Sequence, residues 1–253
     1  MKITLLGTGT SQGVPVIGCD CLVCKSNNSH DKRLRSSVMF EINDQCFVID
    51  TGPDFRQQML IHNVKDINAV LYTHHHKDHV AGLDDIRAFN HKWKKSIDIY
   101  CSSITRDALI REFPYVFDEN KYPGVPNLNI NTINNKPFII NNVNIIPIEA
   151  KHYLMSVFGF RINDFVYLTD VSGISYKEKQ KMKDAELIIL DALRIKPHIS
   201  HFNLDEALEL LSELKPKKAL LTHISHYMGL HNEINQTLPN NVQLAYDGQV
   251  IDL

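Results

Sequence analysis

Short apolar runs rich in branched and aromatic residues recur along the whole chain, each bounded by polar or glycine-containing stretches. Runs of this length and make-up predict β-strands. They fall at residues 3–6, 38–42, 47–49, 69–72, 97–101, 145–148, 157–162, 166–168, 187–190, 219–222 and 242–245. Helical spacing appears between some of them. The clearest case is 204–211, where Leu204, Ala207, Leu208 and Leu211 share one face. Stretches 55–62, 83–90 and 105–113 are further helix candidates. The first third is mostly strand and the rest mixes strands with helices. That order predicts sheets packed together and covered by helices, not a strictly alternating βα chain. No repeat or heptad run breaks the pattern. Residues 122–144, rich in Asn and Pro, read as a surface excursion between two halves of one domain spanning 1–253.

Composition narrows the class. At 253 residues, with 43% hydrophobic and 22% charged, the chain can bury a substantial core as an ordinary globular protein. A formal charge of −2 argues against strong membrane attraction and against the broad basic surface of a non-specific nucleic-acid binder. The start, Met1-Lys2-Ile3-Thr4-Leu5-Leu6-Gly7, is too short for the apolar core of a signal peptide and reads as a first strand. No apolar run approaches the roughly 20 residues of a spanning helix. The expectation is a cytoplasmic protein with no membrane partner.

Five cysteines are present, with Cys19, Cys21 and Cys24 crowded together. In a reducing compartment that spacing suggests a metal site and not a disulfide framework. Cys46 and Cys101 sit in apolar surroundings and read as free thiols without a role. Gly7-Thr8-Gly9-Thr10-Ser11-Gln12-Gly13 follows a strand but is not a dinucleotide fingerprint. Its third glycine falls one residue late, and Val14-Pro15 stands where a helix should start. A tight turn with exposed N–H groups fits better, and Gln12 could point into an anion site beside it.

The chemistry concentrates where strand 69–72 runs into Thr73-His74-His75-His76-Lys77-Asp78-His79. Imidazoles and a carboxylate are ligands that zinc, manganese or iron accept. Positions 74 and 76 point the same way from extended chain, while 78 and 79 reach round the following turn. One loop can therefore serve two neighbouring ions.

This His-x-His-x-Asp-His loop resembles the signature of the metallo-β-lactamase superfamily. The resemblance runs along nearly the whole chain and implies an α/β fold, a four-layer αββα sandwich. It implies that Asp50, in Ile49-Asp50-Thr51-Gly52, supports the loop from behind. It also implies that His74, His76 and His152 hold one ion, that Asp78, His79 and His223 hold the other, and that Asp170 spans both.

Three thiolates need a fourth ligand to close a tetrahedral zinc site, and His226 in Thr222-His223-Ile224-Ser225-His226 offers one. With these features the chain is most similar to the phosphoribosyl 1,2-cyclic phosphate phosphodiesterases of the carbon–phosphorus lyase pathway. Cys19, Cys21, Cys24 and His226 match their structural zinc ligands. Ser200-His201-Phe202-Asn203-Leu204 resembles the element whose histidine protonates the departing oxygen in phosphodiesterases of the superfamily.

The implied activity is hydrolysis of a small, cyclic phosphodiester at two divalent ions, manganese or zinc. There a water is ionised, Asp78 orients it and His201 serves as acid. A tRNA 3′-processing endonuclease is the alternative. It would carry a basic Gly/Pro-rich arm, whereas Lys92-Trp93-Lys94-Lys95, the nearest basic patch, reads as a solvated helix end. A catalytically silent metal-bound scaffold would expect an eroded ligand set. Nucleic acid is therefore not the expected partner. Dimerisation is common in the superfamily, and nothing in the sequence decides it.

Overall fold

Alternation along the strands sets the layers. The computed structural model describes residues 1–253 and contains fifteen strands. These are β1 (Lys2–Gly7), β2 (Ser37–Ile42), β3 (Gln45–Ile49), β4 (Ala69–Leu71), β5 (Ile97–Cys101), β6 (Leu128–Thr132), β7 (Phe138–Ile140) and β8 (Val143–His152). They continue as β9 (Met155–Ile162), β10 (Phe165–Leu168), β11 (Gly173–Ile174), β12 (Leu187–Asp191), β13 (Lys218–Thr222), β14 (Val242–Leu244) and β15 (Val250–Asp252).

The first sheet runs β15-β1-β2-β3-β4-β5-β6, antiparallel as far as β3 and parallel from β3 to β6. The second runs β11-β8-β9-β10-β12-β13-β14 with β7 also on β8, and is parallel from β10 to β14.

Each sheet is apolar on both faces, as a sheet covered on both sides must be. In β12, Leu187 and Ile189 point one way, and Ile188 and Leu190 the other. The first pair joins Ile3, Phe40, Phe47 and Leu71 of the opposite sheet in a shared core, where the Phe40 and Phe165 rings meet at 6.4 Å. The second pair packs under the helix Leu204–Leu214 through Ala207, Leu210, Leu211 and Leu214. On the far side of the first sheet, Val48, Val70 and Ile99 meet Phe55 and Met59 of the helix Phe55–Ile61, Phe89 of Arg87–Trp93 and Leu109 of Ser103–Glu112. The order is helix, sheet, sheet, helix, the expected αββα sandwich. No helix is long and apolar enough to cross a membrane.

One expectation is corrected. Residues 122–144 are not simply an excursion, because β6 and β7 lie within them. The outer face of β6 is polar because β6 is an edge strand, with Asn129 donating to Asp98 and Ser96. That asparagine-rich face hid the alternation of Leu128 and Ile130.

Candidate metal centre

The candidate residues gather where strands of both sheets end. β3 and β4 lead into Asp50 and the loop from Thr73 to His79, while β8, β10 and β13 lead into His152, Asp170 and His223. Asp50, Asp170 and His223 have φ of 65°, 56° and 59°, in the left-handed region. Non-glycine residues held there carry strain of about 1–3 kcal/mol each, and such strain tends to sit at working sites.

Two donor groups result. His74, His76 and His152 form the first, and Asp78, His79, Asp170 and His223 the second, with ligand atoms inside each group within 4.8 Å of one another. Asp170 is also within that reach of His152 and His201. It therefore lies between the two groups.

The far side of each ring shows which nitrogen faces inward. His79 Nδ1 donates to Asp50 Oδ2 at 2.7 Å, and His152 Nδ1 donates to the Ser200 carbonyl at 2.7 Å. His74 Nδ1 lies 2.9 Å from Thr73 Oγ1, whose hydroxyl donates to Asp50 Oδ2 at 2.8 Å. Asp50 thus holds His79 directly and His74 through Thr73, with no exposure of its own.

Nε2 of both His74 and His79 is buried without a hydrogen-bond partner, although Asp170 and Asp78 carboxylate oxygens lie 3.1 and 3.2 Å from His79 Nε2. An unpartnered buried nitrogen is costly. Lone pairs aimed with carboxylates at one point are what divalent cations require, so the donor set fits the ions this fold implies.

Electrostatics agree at Asp170 and His74. At His79 burial is outweighed by the carboxylates of Asp170, Asp78 and Asp50, which push the pKa well above the ordinary histidine value, so an ion there must displace a proton. Burial opposes ionisation of Asp170, yet His223 and His79 hold its carboxyl well below the ordinary value. Burial pushes His74 well below the ordinary histidine value, and His79 adds to it, so this imidazole stays neutral, as a ligand must.

His201 stands at the edge of the pair of groups. Its ring is 4.7 Å from that of His152 and 4.9 Å from that of His223. Its position follows from the helix beyond it. Asn203 accepts from the Glu206 N–H while Glu206 accepts from the Asn203 N–H, a reciprocal cap that fixes where the helix starts. Burial opposes a charge on His201, but Asp191 beside it raises the pKa to about 9. Asp191 was not singled out from sequence. The available signal was a second buried strand, 187–191, ending in Asp as 166–170 does. Gln12 is exposed and makes no hydrogen bond.

A second cluster lies apart from the first. Sγ of Cys19, Cys21 and Cys24 lie 3.2, 3.4 and 3.5 Å from Nδ1 of His226, near-equal spacings that suit a tetrahedral ion. The Cys24 N–H donates to Cys21 Sγ, and this bond, against the effect of burial, lowers the Cys21 pKa to about 6. Burial raises Cys24 to about 11. The remaining thiols stay protonated: burial pushes both Cys46 and Cys101 up to about 12.

Comparison with known proteins matches residues 45–224 to the Beta-lactamase superfamily domain. An octanoyltransferase of Porphyromonas gingivalis is 36% identical over 98% of this chain, and the chain spans only 51% of that protein's length. Coenzyme PQQ synthesis protein B of Methylorubrum extorquens is 31% identical over 103 residues, 34% of each chain.

Among solved structures, a diphosphatase from the PhnP family superposes with a TM-score of 0.93 at 37% identity, covering 99% of this chain and 96% of its own. Zn(2+)-bound PqqB from Methylobacterium extorquens shares the fold (TM-score 0.82, 16% identity, 100% of both chains). The short form of human tRNase Z does too (TM-score 0.71, 21% identity, 100% and 99%). The chain belongs to the β-lactamase superfamily and is similar along its whole length to the PhnP-family diphosphatase.

Proposed function

We propose that the protein is a dinuclear metal-dependent phosphodiesterase acting on a small, cyclic phosphodiester. The observation that carries this reading is the pairing of two adjoining donor groups with a protonatable His201 at their edge. His74, His76 and His152 would hold one divalent ion, manganese or zinc, and Asp78, His79 and His223 the other, with Asp170 serving both. Bound there, the ions supply charge neutralisation at phosphorus and lower the pKa of a water. Asp78 orients that water for in-line attack. As its oxygen bonds to phosphorus, the bond to the leaving oxygen breaks with its electron pair, and His201 gives that oxygen a proton. Asp191 keeps His201 charged and correctly turned. Cys19, Cys21, Cys24 and His226 would hold a structural zinc that pins the N-terminal loop.

A second reading, hydrolysis of a diphosphate bond, is favoured by the PhnP-family diphosphatase at 37% identity. The same groups would serve, because the leaving phosphate replaces the leaving alkoxide. Neither an endonuclease nor a silent scaffold gains comparable support. The resemblance to tRNase Z extends to the fold alone, and no metal position has been lost.

The test is an assay of the metal-reconstituted protein against 2′,3′- and 3′,5′-cyclic nucleotides, a cyclic ribose phosphate, bis(p-nitrophenyl) phosphate, a dinucleoside diphosphate, pre-tRNA, a β-lactam and a thioester. Turnover of cyclic diesters is expected. Turnover of the diphosphate alone would select the second reading, and turnover of a lactam or thioester alone would defeat both.

A further inference from the structure

Three residues before His201 stands a histidine that the chemistry above leaves unused. The His198 ring lies 5.3 Å from the His201 ring. Its Nδ1 accepts from Ser200, 3.3 Å from the backbone N–H and 3.1 Å from the hydroxyl. A neutral imidazole that accepts at Nδ1 carries its proton on Nε2. No protein atom pairs with that Nε2, and the side chain is half-exposed. The Ser200 carbonyl meanwhile accepts from His152 Nδ1 at 2.7 Å. One short loop therefore holds a candidate metal ligand through the Ser200 carbonyl and places a third imidazole, with a free N–H, beside the candidate proton donor. Burial, with His201 beside it, moves the His198 pKa below its ordinary value, so the ring remains a neutral donor.

We propose that the His198 Nε2–H binds an oxygen of the leaving group next to the one that His201 protonates, making His198 a specificity-determining residue for polyoxygenated, sugar-like leaving groups. This rests on the phosphodiesterase reading above. Two donors whose rings are 5.3 Å apart, each reaching about 2.8 Å, can engage oxygens on neighbouring carbons of one sugar. An aryl leaving group offers a single oxygen and uses only the first donor. A site built to hydrogen-bond a substrate oxygen discriminates against substrates lacking it, because the protein donor is then left unpaired.

Two substitutions separate this role from a structural one. His198→Asn keeps an acceptor where Nδ1 was and loses the outward donor, while His198→Gln keeps an N–H near the Nε2 position and loses the acceptor for Ser200. Each variant, in metal-loaded form with its metal content measured, is compared with wild type on 3′,5′-cyclic AMP, whose 3′ leaving oxygen has a free 2′-hydroxyl on the next carbon, and on bis(p-nitrophenyl) phosphate.

With metals retained, His198→Asn is expected to raise KM for the cyclic nucleotide about tenfold with little change in kcat, and to affect the aryl diester less. His198→Gln is expected to be the milder change. A worse effect of Gln than Asn, equal effects on both substrates, no effect at all, or loss of metal in the Asn variant would each overturn the proposal. A wild-type enzyme that cleaves the aryl diester but no sugar phosphodiester would also overturn it, leaving the phosphodiesterase reading in place. Cleavage of neither would remove that reading first.

Discussion

Asp191 Oδ2 lies 3.1 Å from His201 Nδ1, with both side chains buried, and the same oxygen accepts from the Val171 N–H at 2.9 Å. The carboxylate is thus anchored to the backbone on one side and turns the imidazole on the other. Replacing His201 with Ala should lower kcat by about 10²–10⁴-fold, the range for losing a positioned general acid, with both active-site metals retained. Steady-state kinetics alongside elemental analysis check this. Lost metal, or turnover unchanged, would remove His201 from the chemistry.

The same pair sets a pH dependence. His201 must be protonated to act, and Asp191 raises its pKa against burial, to about 9 with the help of Asp170 and Asp78 while no ion neutralises those two carboxylates. The rate of the chemical step should therefore fall as pH rises through that region. Asp191→Asn removes the charge that favours the protonated ring, so the falling limb should move to lower pH. Single-turnover pH profiles of both proteins decide it, and coincident limbs would rule out Asp191 as the tuning group.

Asp50 belongs to neither donor group but holds two candidate ligands, His79 directly and His74 through Thr73. Asp50→Ala should weaken metal binding by about 10–100-fold, as loss of a hydrogen-bonded supporter does. Competition with a fluorescent chelator measures this. Affinity equal to wild type would mean that the loop orients its histidines unaided.

Gly52 presses against the backbone carbonyl of Asp78, so closely that a Cβ there would overlap it. Gly52→Ala must shift the loop carrying Asp78 and His79 or the turn that holds residue 52. Activity and metal occupancy should fall together, and more steeply than thermal stability does. A variant with full metal content would contradict that geometry.

Cys21→Ser should remove one equivalent of zinc and leave the two active-site ions in place, because the cysteine cluster shares no residue with either active-site donor group. Limited proteolysis should then cut within residues 14–28, which the ion would otherwise pin. Undiminished zinc content would argue against the site.

The layers and the loop from His74 to His79 were legible in the sequence because each is local: a short continuous apolar run such as 187–190, or a ligand spacing that one turn supplies. His152, Asp170 and His223 were legible only through resemblance, since each is a single polar residue ending a strand. Asp191 ends a strand in the same way and was missed, because nothing local distinguishes a carboxylate that faces an imidazole ten residues later. His198 was invisible for a similar reason. Its role depends on which nitrogen Ser200 occupies, a matter of loop conformation. Strand β6 was missed because asparagines on an edge look like loop, and β7 because its three apolar residues stand between asparagine-rich stretches.

The division of donors between the sheets has a thermodynamic consequence. The loop after β4 belongs to one sheet, and His152, Asp170 and His223 to the other, so each of the two donor groups is complete only when both sheets contribute. Ion release is therefore linked to separation of the halves, and the dissociation constant gauges how firmly they are docked. Trimming Phe40 or Phe165, whose rings meet deep between the sheets, should register as faster leakage of metal at temperatures where the backbone is still fully folded.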